Sequence, residues 1–199
     1  MPKRIRQDED IYIAPDILGK YENGRYIAVD ERNENKELNP NDIDDKILIY
    51  ERQVKDWFLN RATRFVNGDY NGFIVLMICM SYLEGVEQYR QGNSSNNNSN
   101  ATFRRTLHRI YPNQYNDDDL RNLYRESRVG LFHDGMVRGN VIINNGFPSS
   151  LSFDDENIKI SPKKLLDDIK MDFNNYIESL KNRENNELRD NFNRMYILT

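Results

Sequence analysis

The chain has 199 residues, which is the length of one compact domain with an additional segment. Its net charge of -4 excludes a uniformly basic nucleic-acid coat, although a local basic groove is compatible with that charge. One cysteine and two histidines exclude an internal disulfide and a cysteine-rich zinc site, so we expect neither a metal nor a cofactor. The longest apolar run, residues 73–83, is shorter than the roughly 20 residues that cross a membrane, and the charged start carries no secretory signal. We therefore expect a cytoplasmic protein without membrane contact.

Residues 1–40 are predicted to form an N-terminal arm of β and irregular structure. Two β-rich runs, 17–21 and 25–29, flank Asn23-Gly24, and an Asn-Gly pair favours a tight hairpin turn because both residues tolerate positive φ. The polar stretch 30–41 is predicted to be a linker.

The rest of the chain, residues 41–199, is predicted to be a mainly α domain of about five helices. The helix that holds the apolar run is apolar on all sides, so it should lie at the centre of a helical bundle. A low-complexity loop of Asn and Ser follows it at 92–100. Alternating residues at about 136–160 predict a small β-insert before the last helix. The predicted helices cover about 42–66, 71–91, 101–111, 116–134 and 162–182, and the predicted strands cover 137–144, 151–153 and 158–160.

The predicted helix 116–134 holds the residues that carry chemistry. At about 100° per residue, its leucines share the face toward the core, and Arg121, Arg125 and Arg128 form a stripe beside that face. His133 lies on a third side of the helix. Because an arginine side chain is long enough to reach around a helix, we expect Arg128 and His133 to border one cleft.

The segment from Arg128 to His133 is an Arg-x4-His pair near the end of a helix. A buried helix that ends in a carboxylate (FIVLMICMSYLEG) and a variable loop come before it, and LFHDGMVRG and a late amphipathic helix follow it. Over roughly residues 45–182 this arrangement resembles the HEPN superfamily (higher eukaryotes and prokaryotes nucleotide-binding). The resemblance implies a HEPN-like helical bundle and a metal-independent endoribonuclease of a bacterial toxin or phage-defence type.

The resemblance implies catalytic roles for Arg128 and His133. An imidazole titrates near neutral pH, so His133 would act as general base on a ribose 2′-hydroxyl or as acid to the leaving 5′-oxygen. Arg128 would stabilise the charge on the phosphorane-like transition state, because a guanidinium can contact two phosphate oxygens at once.

Other charged residues are predicted to support this site. Glu84 follows the apolar run, and a buried carboxylate needs a partner, so we expect it to orient Arg128 or His133. Glu126 and Asp134 are expected to neutralise the positive groups of the cleft. Six arginines are predicted to contact an RNA backbone: Arg104, Arg105, Arg109, Arg121, Arg125 and Arg138.

Two other functions stay open. The position after the motif arginine is commonly Asn, Asp or His in active HEPN nucleases, and here it is Val129, so a HEPN-like module that binds nucleotide, RNA or protein without cleavage is an alternative. A more remote alternative is a metal phosphohydrolase of the HD superfamily. Its ligands would be His108, the pair His133-Asp134, and Asp167 or Asp168.

The predicted partners are a second copy of the chain, RNA, and an antitoxin or defence partner protein. HEPN nucleases commonly build one composite site from two motif helices. One arginine and one histidine are few groups for a reaction that needs a base, an acid and charge stabilisation together. A homodimer whose interface includes the motif helix would double that set.

Overall fold

A computed structural model describes residues 3–154 and 156–199. The chain is mainly α-helical with two small sheets, as predicted. It divides into two compact units. The first unit contains the residues up to Asn60 together with Tyr89–Asn93 and Asn175–Thr199, and the second contains Arg61–Gln88 and Ser94–Asn174. In the described ranges, no helix is both long enough and apolar enough to cross a membrane.

The helices follow the predicted order, but two segments wind as π-helices, in which each N–H bonds to the carbonyl five residues earlier. These segments are π1 (Gln53–Leu59) and π2 (Tyr124–Asp134). The α-helices of the described residues are α1 (Ile43–Arg52), α2 (Asn60–Phe65), α3 (Gly72–Gln91), α4 (Ser99–Ile110), α5 (Asp117–Leu123), α6 (Pro162–Lys181) and α7 (Asn186–Met195).

The N-terminal arm is a four-stranded antiparallel sheet with its strands in chain order. The predicted hairpin is confirmed, and Asn23 and Gly24 form its turn with φ of 52° and 81°. The predicted linker is wrong in part because it contains a short strand of Lys, Glu and Leu, too short and too polar to show alternation. The strands are β1 (Ile11–Ala14), β2 (Ile17–Glu22), β3 (Arg25–Asp30) and β4 (Lys36–Leu38).

The helix predicted at about 42–66 is divided into α1, π1 and α2. Asp42 caps α1 and accepts hydrogen bonds from the backbone N–H groups of Asp44 and Asp45 at 2.9 and 3.1 Å. Within the first unit, the buried Gln53 side chain donates from Nε2 to the Ile13 carbonyl at 2.5 Å. The first residue of π1 therefore attaches this helical segment to strand β1.

A buried ion pair joins β3 to α1 and makes the stability of the first unit depend on pH. Asp30 is 2% exposed, and Arg52 donates from Nη2 to its Oδ2 at 2.9 Å. Burial by itself would raise the pKa of Asp30, but the hydrogen bonds and charge of Arg52 hold that pKa below its usual value. The stabilisation is therefore complete above the unfolded pKa of about 4 and is lost as pH falls through the lower folded pKa.

We expect Asp30→Asn to lower the free energy of unfolding by about 2 kcal/mol at neutral pH, because a hydrogen bond to a charged group is lost. Urea unfolding of the parent and the variant between neutral pH and pH of about 3 measures this difference. The difference should shrink as Asp30 becomes protonated in the parent. A difference that is the same at every pH would contradict the assigned role of the ion pair.

Helix α3 confirms only part of its prediction. Val75, Leu76 and Cys79 are fully buried in the second unit, as expected of a central helix. The opposite side of the first turns is exposed, so burial on all sides is wrong. That side carries Phe73, Ile74 and Met77, which are 39%, 47% and 38% exposed.

The β-insert is a three-stranded sheet in the order β5-β7-β6, in which β5 runs parallel to β7. Its first strand is shorter than the predicted 137–144, and the other two have the predicted bounds. Ser161 then caps α6 through its Oγ, which accepts from the Lys164 N–H at 3.4 Å, and Pro162 is the first helical residue. The strands are β5 (Val141–Ile143), β6 (Leu151–Phe153) and β7 (Ile158–Ile160).

Candidate functional site

The Arg-x4-His pair lies in π2, an 11-residue π-helix that continues α5. π-Helices are rare, and they occur frequently at functional sites. Its C-terminal cap is Gly135, which has φ of 74° and donates its backbone N–H to the Gly130 carbonyl five residues earlier. The predicted end at Gly135 is confirmed, whereas the α winding predicted for the whole helix is wrong over π2.

The π winding changes which residues share a face. In an α-helix, residues five apart are separated by roughly 140° around the axis. In a π-helix the hydrogen-bonded residues are five apart, so residues at this spacing lie one turn above each other. Arg128 and His133 have this spacing, and π2 therefore places their Cα positions on one face. The two Cα positions share this face, and the Arg128 guanidinium pairs with Glu84 rather than with His133.

A glycine inside the motif allows another segment to pack against π2. A Cβ on Gly130 would lie 2.7 Å from the Met136 carbonyl oxygen, which is closer than real Cβ contacts. The Arg138 N–H donates to the Glu126 carbonyl at 3.0 Å, so residues 136–138 return along the helix. Gly130 is thus required by a close approach of the backbone at Met136.

Arg128 is held by a carboxylate and two aromatic rings. Its Nη2 lies 2.8 Å from Glu84 Oε2, and the two side chains are 22% and 13% exposed. The guanidinium also lies over the rings of Phe132 and Tyr124, 4.9 and 5.8 Å from their centroids. The structure thus brings Glu84 to Arg128, one of the two partners predicted for it.

A residue of the low-complexity loop completes this arrangement. Ser95 is buried, and its Oγ donates to Glu84 Oε1 at 2.9 Å, while its N–H donates to the Gln88 side chain at 2.9 Å. The sequence carries no signal for this role, because Ser95 stands in a run of Ser and Asn that is typical of a solvent-exposed loop.

The other predicted supporting residues do not pair with the motif. The His133 side chain is exposed and has no hydrogen bond or ion pair to any residue in 3–154 or 156–199. Glu126 pairs with Arg125 at 2.5 Å, and Asp134 pairs with Arg138 at 3.0 Å. His133 is therefore open to solvent at the end of π2, with its imidazole available to a ligand.

Carboxylates neutralise most of the arginines predicted to contact RNA. Arg105 is exposed and has no ion pair within the described part of the chain. The other five are paired: Arg104 with Asp117, Arg109 with Glu87 and Asp172, Arg121 with Asp117 and Asp118, Arg125 with Glu126, and Arg138 with Asp134. The structure therefore shows arginines distributed among acids rather than a continuous basic stripe.

The residues of the metal-phosphohydrolase alternative lie in different surroundings. His108 Nε2 is 3.1 Å from Asp117, and the hydrogen bonds of His108 and Arg104 hold the pKa of that carboxyl well below its usual value. Asp168 accepts from the Tyr111 hydroxyl at 2.6 Å and from Ser150. Within residues 3–154 and 156–199, no three His, Cys, Asp or Glu side chains are grouped closely enough to hold a metal ion.

No protein-family model, no curated protein sequence and no solved structure matches the chain. The functional argument therefore depends on the geometry of the residues described above.

Proposed function

We propose that the chain is a HEPN-like endoribonuclease that cleaves single-stranded RNA without a metal, with Arg128 and His133 as its catalytic residues. The observation that carries the proposal is the π winding of π2, because it places the two residues one turn apart on one face. A phosphate seated against that face would be within reach of a guanidinium and an imidazole together. The fixed position of Arg128 between Glu84 and Phe132 supports the same role, since a preorganised cation stabilises developing charge without reorganisation.

The proposed reaction is an internal transesterification. His133 removes the proton from a ribose 2′-hydroxyl, the 2′-oxygen forms a bond to the adjacent phosphorus, and the bond from phosphorus to the 5′-oxygen breaks. Arg128 donates hydrogen bonds to the phosphate oxygens as their charge rises. A protonated imidazole donates a proton to the leaving 5′-oxygen. The products are a 2′,3′-cyclic phosphate and a 5′-hydroxyl.

Incubation of single-stranded RNA with the protein in excess EDTA tests this function. We expect cleavage with 2′,3′-cyclic phosphate ends, identified by mass spectrometry of the fragments. An RNA with a 2′-deoxyribose at each cleaved position should stay intact, because the attacking oxygen is missing. Absence of cleavage, or cleavage that requires a divalent metal, would contradict the proposal.

A second candidate is a HEPN-like module that binds RNA or a protein partner without cleavage. The observation that favours it is the ion pair of Arg128 with Glu84, which reduces the positive charge available to a phosphate. Val129, which is not polar, adds no group to hold the substrate. RNA binding without cleavage in the same EDTA experiment would select this function.

We also propose that two copies assemble through the region of π2, which would supply the acid and the base from two histidines. Phe132 and Met136, on either side of His133, are 43% and 54% exposed, and a dimer contact would bury them. In a cell, such a nuclease would act as a toxin or phage-defence effector restrained by an antitoxin or defence partner. Sedimentation without and with RNA tests the assembly, and a single species at the monomer mass of 23.7 kDa that added RNA leaves unchanged would contradict it.

A further inference from the structure

A cavity of about 760 Å³ lies in the second unit, away from the residues discussed so far. One wall is formed by residues 66–70 and 72–73, which connect α2 to α3 and begin α3, and the other by residues 143–146, which end β5 and form the turn after it. Asn145 holds the two walls together, because its Nδ2 donates to the Val66 carbonyl at 3.0 Å and its Oδ1 accepts from the Lys163 N–H at 3.0 Å. The cavity is within the range of about 300–1,000 Å³ that small-molecule sites occupy.

Tyr70 lines this cavity in a backbone conformation that costs free energy and that no burial of its side chain compensates. The residue is 98% exposed, so it contributes almost no buried apolar surface. Its φ is 64°, in the left-handed region that costs a non-glycine residue roughly 1–2 kcal/mol. Such backbone conformations are concentrated at functional sites. Phe73, which also lines the cavity and is 39% exposed, provides a second aromatic ring.

The charges at the cavity are one cation and one anion. Lys163 lines it, and in the described ranges its ammonium has no ion-pair partner. Asp69 is exposed at the same place and is likewise unpaired there. A phosphate suits the lysine, a ribose hydroxyl can donate to the carboxylate, and a base can stack on an aromatic ring. A phosphate, a ribose and a base are the three parts of a ribonucleotide.

We infer that this cavity binds one unpaired nucleotide of single-stranded RNA, with the base stacked on Tyr70, the phosphate at Lys163 and the ribose at Asp69. The choice of RNA as the ligand rests on the proposed function, in which single-stranded RNA is the substrate. The cavity would then hold the substrate by a nucleotide that does not itself react.

Fluorescence anisotropy with a labelled ten-residue oligoadenylate RNA tests the inference, using His133→Ala protein so that the probe stays intact. We expect Tyr70→Asn to weaken binding about tenfold or more, because the stacking platform is lost. Asn adopts positive φ more readily than Tyr, so the same variant should keep or raise the thermal midpoint. Lys163→Gln should weaken binding and reduce its salt dependence by about one released counterion. The DNA decamer of the same sequence should bind less tightly than the RNA.

The matched controls are Tyr21→Asn and Lys36→Gln, which change an exposed tyrosine and an exposed lysine of the first unit. Both should bind the RNA like the His133→Ala protein, which is the parent for every variant in this assay. Equal binding by Tyr70→Asn and the parent would overturn the inference, and equal affinity for RNA and DNA would overturn the assignment of Asp69 to the ribose.

The outcomes separate this inference from the proposed function. If Tyr70→Asn and Lys163→Gln change neither cleavage in EDTA nor RNA affinity, the nuclease function is supported and the nucleotide site at this cavity is contradicted. If RNA binding depends on Tyr70 and Lys163 but the protein does not cleave RNA, the nucleotide site is supported and the nuclease function is contradicted. A His133→Ala protein that binds no RNA, together with a parent that cleaves none in EDTA, overturns both.

Discussion

Replacing His133 with alanine is expected to lower the rate of RNA cleavage in EDTA by about 10²- to 10⁴-fold, the usual contribution of a general base. The imidazole is exposed and has no partner in the described ranges, so the variant should unfold at the same temperature as the parent. RNA affinity should also change little, because the proposed role of His133 is in the chemical step. Initial rates at saturating RNA, together with thermal unfolding, measure both effects.

The chain offers a matched control in its other histidine. His108 also lies on a helix and is partly exposed, but it contacts Asp117 and is not part of the Arg-x4-His pair. His108→Ala should therefore cleave RNA at nearly the parental rate. Equal rates for His133→Ala and the parent would exclude His133 as the catalytic base.

Replacing Arg109 with alanine is expected to destabilise the protein by about 3–5 kcal/mol, because the change removes the cation of a buried charge cluster. Arg109 Nε donates to Glu87 at 3.3 Å, and its Nη1 donates to Asp172. The Glu87 and Asp172 side chains are 2% and 10% exposed. Water therefore cannot solvate these two carboxylates in place of the guanidinium. For a chain of this length the thermal midpoint should fall by roughly 10 °C.

Arg105 is the control for Arg109, since it lies on the same helix, is exposed and has no ion pair within the described residues. Arg105→Ala should change the free energy of unfolding by less than about 0.5 kcal/mol. An Arg109→Ala variant that is as stable as the parent but binds RNA more weakly would contradict the structural role. It would instead favour the backbone contact predicted from the sequence.

Much of the fold could be predicted because its signals are local. The hairpin depends on Asn23 and Gly24, the end of π2 depends on Gly135, and the start of α6 depends on Ser161 and Pro162. Each of these residues acts on backbone within a few positions of itself. The two π-helices could not be predicted, because the spacing of apolar residues is interpreted with α-helical periodicity. One extra residue per hydrogen-bonded turn over a short segment changes that spacing too little to be recognised.

The candidate site was harder to predict than the fold, because its partners are distant in sequence. The sequence predicts Glu84 as a partner of Arg128 or His133 without deciding between them, and it carries no signal that Ser95 reaches the same carboxylate from a loop. The role of the arginines predicted to contact RNA also depends on neighbours that lie far away in the sequence. Arg109 shows this, since Asp172 comes from a helix later in the chain.

In π2, the number of residues between Arg128 and His133 and the winding of the helix together decide whether the two residues share a face. A π-helix carries one more residue per hydrogen-bonded ring than an α-helix, so each residue inserted or removed between Arg128 and His133 must be matched by a change of winding. An arginine and a histidine four apart on an α-helix would share a face just as these two do on π2. The number of residues between them is therefore not a fixed requirement of the proposed chemistry. What the proposed chemistry requires is that the two side chains leave the same side of the helix, and a change of spacing can be compensated by a change of winding.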